Sequence, residues 1–182
     1  MKLSSRLTHF GFAVLFAASA AALSAHGARA QQTTTEDITP ADQAFLQKAV
    51  DAGNQEIADG RAHQNSSDTG VRTFATTMVR DHNLANAKLE AVAKQFNVTL
   101  KEQTPTPSHA DGASYVRGEV ADHQQAIDLF QKEATGGSAA VVRSLAANTL
   151  PVLKQHLQMA QQYVSTGTVT PEPAPTNGNT PP

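Results

Sequence analysis

Residues 71–96 read VRTFATTMVRDHNLANAKLEAVAKQF, with apolar side chains recurring at Val71, Ala75, Met78, Ala85, Leu89, Val92 and Phe96. Steps of three and four alternate through the stretch, the period of an α-helix with one face turned to a core. His82 falls on the same stripe, between Met78 and Ala85. A polar ring in an apolar seam costs free energy unless it is paired or bound. This stretch therefore predicts both the fold class and the place to look for chemistry.

Three other stretches carry the same period. The first starts at Thr39 as cap and Pro40 in the opening turn, with Asp42 where the helix dipole favours an acid. Its stripe is Leu46, Ala49, Gly53, Glu56, Gly60 and His63. The stretch around His82 is expected to begin near Ser67 or Asp68, and the brief alternation from Phe96 to Leu100 reads as its end. The third follows Asp111 or Ser114, carries Val116, Val120, His123, Ile127, Phe130 and Ala134, and stops at Gly136-Gly137. The fourth, with Ser138 as its expected cap, shows Val142, Ala146, Thr149, Leu153, His156, Ala160 and Tyr163. Pro151 interrupts it, which removes the donor for the Ala147 carbonyl and predicts a bend.

Alternating three-four stripes are the seams of helices that cross at shallow angles. The expected fold is all-α: a four-helix bundle made of two antiparallel hairpins. The link between the hairpins, Lys101 to Gly112, contains Thr104-Pro105-Thr106-Pro107 and is long enough for the second hairpin to cross over. That is the ferritin-like variant of the bundle.

The flanks are expected to stay outside it. Lys2 and Arg6 precede an apolar run from Phe10 to Leu23, and Ala28-Arg29-Ala30 supplies a small-x-small cleavage pattern. Residues 1–30 therefore read as a signal peptide cleaved after Ala30, which places the chain in the periplasm or outside the cell. Residues 31–38 read as a polar leader, 39–164 as the folded domain and 165–182 as a disordered tail rich in Pro and Thr. With no cysteine, the domain must rely on core packing rather than disulfides. Loss of Lys2, Arg6 and Arg29 from 14 basic residues leaves 11 against 16 acidic, a net charge of −5. Such a surface argues against nucleic acid and anionic membrane as partners. No further membrane span is expected after signal removal.

Each helix places one ionisable residue near the middle of its stripe: Glu56, His82, His123 and His156. Four unsatisfied polar groups at about 1–3 kcal/mol each would consume much of a typical domain's stability. They must pair with one another, reach water or hold a metal. The phrase Val-x-Asp-His occurs twice, ending at His82 and His123, and sets Asp81 and Asp122 about 100° around the helix from their histidines. Each aspartate is placed to orient a histidine of a neighbouring helix or to serve as a ligand itself. The Glu-x-x-His pairs of a di-iron bundle are missing: Val79, Val120 and Leu153 stand three residues before the three histidines. A histidine-rich set would suit copper or zinc better. His63, near a helix end, and His109, in the connection, are expected to be solvent-exposed.

Asp42-x-x-Phe45-Leu46, Glu56, Phe74-Ala75-x-x-Met78-Val79-x-Asp81-His82, Tyr115, Asp122-His123, Phe130 and Leu150-Pro151-x-Leu153-x-x-His156-Leu157 follow one another between Asp42 and Tyr163. In this order they resemble the bacterial family called domain of unknown function 4142. The resemblance implies an exported bacterial protein with a ferritin-like bundle and carries no activity with it. No Gly-x-Ser-x-Gly elbow or phosphate loop is present, so no catalytic set is expected. Three readings remain open. One is an exported bundle of non-catalytic role, linked to envelope stress by analogy alone and held together by a His/Asp/Glu network. A second is a metal-binding or redox protein whose transition-metal ligands come from Glu56, His82, His123, His156, Asp81 and Asp122. The third is an interaction module that meets an envelope partner through its acidic surface or tail.

Overall fold

Thr39 accepts from the backbone of Asp42 while the Asp42 carboxylate accepts from the backbone of Thr39. This reciprocal capping box, with Pro40 in the first turn, starts the first helix, α1 (Pro40–His63). In the computed structural model, which describes residues 37–170, three further helices follow: α2 (Thr69–Gln95), α3 (Gly112–Gly136) and α4 (Ala140–Thr166). Asp68 caps α2, and Asp111 caps α3 in a second capping box with Ser114. No strand occurs among the described residues. The expected signal peptide and nearly all of the leader lie outside them.

Several expected boundaries are corrected. Ser138 does not cap α4. The cap position is Ala139, which has no side chain able to accept. Asp42 supplies the acceptor from across the bundle instead, its Oδ1 taking the Ser138 N–H at 2.8 Å. Helix α2 stops at Gln95 rather than running on to Leu100, because Asn97 adopts a left-handed φ of 55°. Residues 165–170, expected in the tail, belong with the bundle. Helix α4 runs to Thr166 and ends on Gly167 at φ 70°, after which Val169 packs on the core and Thr170 bonds to Gln162. Residues 171–182 lie outside the described part.

The order of apolar clusters along each helix fixes the topology. One cluster holds Phe45, Leu46, Val50, Leu89, Phe130 and Leu153; the other holds Val71, Phe74, Met78, Tyr115, Val116 and Tyr163. Helices α2 and α3 both run from the second cluster to the first, while α4 runs the opposite way. α2 and α3 are thus parallel, and the connection between them must travel the length of the bundle. It does so along α1. Gln47, Asp51, Gln55 and Asp59, four residues apart on one face, bond in turn to Lys101, Gln103, Thr106 and Ser108. The hairpins α1–α2 and α3–α4 pack most extensively, joined by α2 against α4 and α1 against α3. This is a ferritin-like four-helix bundle. Gly53 and Gly60 allow α1 to approach α2 closely, since a Cβ on Gly60 would sit 2.8 Å from Val79 Cγ2.

Candidate metal centre

Between the two apolar clusters lies a polar layer, to which every helix contributes. Positions 82, 123 and 156 are on the inward stripes of α2, α3 and α4, and their rings meet. His123 and His156 are each 1% exposed and His82 is 8% exposed. Ring centroids are 5.8 Å apart for His82 and His123, 5.3 Å for His82 and His156, and 5.3 Å for His123 and His156. One nitrogen from each ring lies within 4.8 Å of the other two.

The partners of these rings fix their protons. Asp81, on α2, accepts from Arg80 at 2.6 and 3.0 Å. Burial pushes its carboxyl up, but the bonds from His156 and Arg80 outweigh this and hold it at about 2. An ionised carboxylate only accepts, so His156 Nε2, 3.1 Å from Asp81 Oδ2, carries the hydrogen and Nδ1 keeps its lone pair. His123 Nδ1 lies 3.1 Å from the Glu119 carbonyl oxygen and 3.1 Å from Glu119 Oε2. A carbonyl likewise only accepts, so this nitrogen donates and, in the neutral ring, His123 Nε2 keeps its lone pair. The two lone-pair nitrogens face each other at 3.3 Å. His82 Nε2, beside them, is buried without a partner. Burial, then the neighbouring imidazoles, hold His82 well below the usual histidine range; burial also lowers His156, although Asp81 opposes it.

A second group adjoins the first through His123. Glu56 of α1 and Glu119 of α3 bring carboxyl oxygens within 4.8 Å of each other and of His123. Burial and then the neighbouring Glu119 charge drive the Glu56 carboxyl well above its ordinary range. Burial raises Glu119 to about 8 even though Glu56 bonds to it. Such a pair holds a proton between two acids. Tyr115 lies fully buried beside them with its hydroxyl unpartnered, and burial with these nearby acids pushes that phenol up.

Of the six residues expected at this site, the structure brings Glu56, Asp81, His82, His123 and His156 into one layer. Asp122 is not among them: it is exposed, and it lies on the wall of a cavity beside the layer. The carboxylate that turns to His123 is Glu119, which sequence reasoning missed. Its signal was present, since Glu119 stands four residues before His123 and so on the same helix face. His63 is not solvated. It is buried and stacks on Tyr115 at 4.8 Å, because the end of α1 is covered by the start of α3. His109 is half-buried rather than exposed, since Gly118 leaves room for its ring.

A family profile described as "Domain of unknown function (DUF4142)" matches residues 27–163. The chain belongs to the DUF4142 family. No curated protein matches the chain. Among solved structures, a DUF305 fragment from Deinococcus radiodurans superposes with a TM-score of 0.63 at 13% identity, covering 71% of this chain and 98% of the other. A candidate spore coat protein of Bacillus halodurans C-125 superposes with a TM-score of 0.63 at 12% identity, covering 78% and 98%. At these identities the likeness concerns the fold alone. No helix among the described residues is long and apolar enough to cross a membrane.

Proposed function

We propose that this DUF4142 protein is an exported metal-binding bundle that holds one transition ion of the zinc or copper class on His82, His123 and His156. The observation that carries the reading is the approach of His123 Nε2 and His156 Nδ1 to 3.3 Å, with the other nitrogen of each ring turned to an acceptor. Two lone-pair nitrogens at that distance need either a shared extra proton, which burial opposes, or a cation. At a zinc–imidazole bond of about 2.0–2.1 Å, two ligands of a tetrahedral ion stand about 3.3–3.4 Å apart. His82 supplies a third neutral imidazole, and an all-imidazole donor set favours zinc or copper over calcium or magnesium.

Asp81 and Glu119 act as positioning residues: each holds the far nitrogen of a ligand ring, fixing its tautomer and orientation. Glu56, within 4.8 Å of Glu119 and His123, is left out of the ligand set. Export is supported by the basic, apolar and Ala28-Arg29-Ala30 succession at the N-terminus.

Elemental analysis of full-length protein purified without added metal, beside a His82→Ala, His123→Ala double variant, tests this. About one zinc or copper per chain in the wild type and none in the variant is the expected result. Metal-free wild type that stays metal-free after incubation with both ions would leave the His/Asp/Glu layer as a purely structural network.

A further inference from the structure

A cavity of about 490 Å³ opens beside the polar layer, between α1, α2 and α3. This volume falls in the range of small-molecule sites. Its walls divide in two. Leu89, Leu129, Phe130 and Leu153, with several alanines, make one part apolar. Glu56, Asp59, His82, Asn86 and Asp122 make the other polar.

Three buried atoms of that polar part have no partner: Glu56 Oε2, His82 Nε2 and Asn86 Oδ1. Asn86 is 5% exposed, and its orientation is set by its amide nitrogen, which donates to Val50 O and Asn54 Oδ1. Its oxygen therefore remains as an acceptor. Buried acceptors left without a donor are costly, and a ligand that brings N–H groups would relieve them. No lysine or arginine stands among the wall residues, whereas Glu56, Asp59 and Asp122 do. Glu56 and Glu119 hold a proton between them, so the pair keeps one negative charge for a cation to meet, and Asp59 and Asp122 add acceptors to the wall. An anionic head group would meet these carboxyls with no cationic side chain to offset them; a cation has several partners.

We infer that this cavity binds an organic ammonium, its head on Glu56 and Asn86 and its apolar chain along Leu89, Leu129, Phe130 and Leu153. The inference needs no ion on the histidines, since the head sits on Glu56 and Asn86 and not on the imidazole nitrogens; Glu56 is the one residue it shares with the expected metal ligands. The alanines at 85 and 126 leave the chain its room.

Calorimetric titration of full-length, chelator-treated protein with n-octylammonium, n-octanol and n-octanoate tests the inference, because the three probes share one tail and differ only in charge. Octylammonium is expected to bind at least about ten-fold tighter than octanol, with octanoate showing no heat. Glu56→Gln should reduce octylammonium to the affinity of octanol, and its helical circular dichroism confirms that it is folded. Octanoate binding as tightly as octylammonium, or no heat from any probe at millimolar concentration, overturns the inference. Because these titrations contain no metal, they succeed or fail separately from the metal analysis.

Discussion

His156 Nδ1 and His123 Nε2 face each other at 3.3 Å, and in neutral rings neither nitrogen has a proton to offer the other. That arrangement follows from residues on two other sides of the rings. Arg80 keeps Asp81 ionised, Asp81 takes the His156 hydrogen, and the Glu119 carbonyl takes that of His123. The bundle thus holds two ligand-ready imidazoles in place, with His82 as the third.

The role of Asp81 is tested by Asp81→Asn. An amide can donate as well as accept, so His156 is free to move its proton to Nδ1, where the lone pair is needed. Zinc affinity should fall about 10–100-fold, the usual loss when a carboxylate behind a ligand histidine is removed. Competition against a chromophoric chelator measures it. Unchanged affinity would show that Asp81 does not orient the ring.

The close approach of α1 and α2 is tested by Gly53→Ala. The added Cβ would overlap the side-chain amide of Asn86, and forcing the helices apart should cost about 1–3 kcal/mol. Urea unfolding gives the number. A variant as stable as the wild type would mean that Asn86 swings away freely, against its bonds to Val50 and Asn54.

Acid should loosen the bundle at Asp42. Burial raises this carboxyl, but bonds from Thr39 and Ser138 outweigh it and bring it from 3.8 to about 2. A depressed carboxyl stabilises the native state fully above its ordinary range and loses that contribution as pH falls from 3.8 towards 2. Asp42→Ala leaves the backbone donors of Thr39 and Ser138 without their partner and should cost about 1–3 kcal/mol at neutral pH. The difference from wild type should shrink in acid. A difference that is constant with pH would contradict the assignment.

Glu133 has the opposite sign. Burial, then the Asp42 carboxyl beside it, raises it from 4.5 to about 7. The native state thus keeps a proton that the unfolded chain has lost, and stability declines as pH rises from 4.5 towards 7. Glu133→Gln should be more stable than wild type above that window and no more stable below it. Melting temperatures on both sides decide this, and a gain confined to acid would contradict it.

What was legible in the sequence was whatever a single helix determines. The stripes gave all four helices, Thr39-Pro40 gave the first cap, and the histidines on the stripes gave the layer where they meet. What was not legible depends on a neighbouring helix. Asp42 reads as a cap for its own helix, yet it also caps α4 because the fold brings Ser138 beside it. Glu119 was legible by its spacing of four from His123, whereas the exposure of Asp122 is decided by the packing around α3. His63 reads as a wet helix end because its cover, Tyr115, comes from another helix. The ladder of Gln47, Asp51, Gln55 and Asp59 looks like an ordinary solvated face until the crossover segment lies along it.

The most direct test of the central claim is titration of the metal-free chain with cobalt(II), an ion that reports its own coordination in visible light. Intense absorption of a four-coordinate nitrogen–oxygen site should grow to an end point at about one cobalt per chain, and His156→Ala should abolish it. Only the weak spectrum of hydrated cobalt, or an unchanged end point in the variant, would contradict a metal centre on the three histidines.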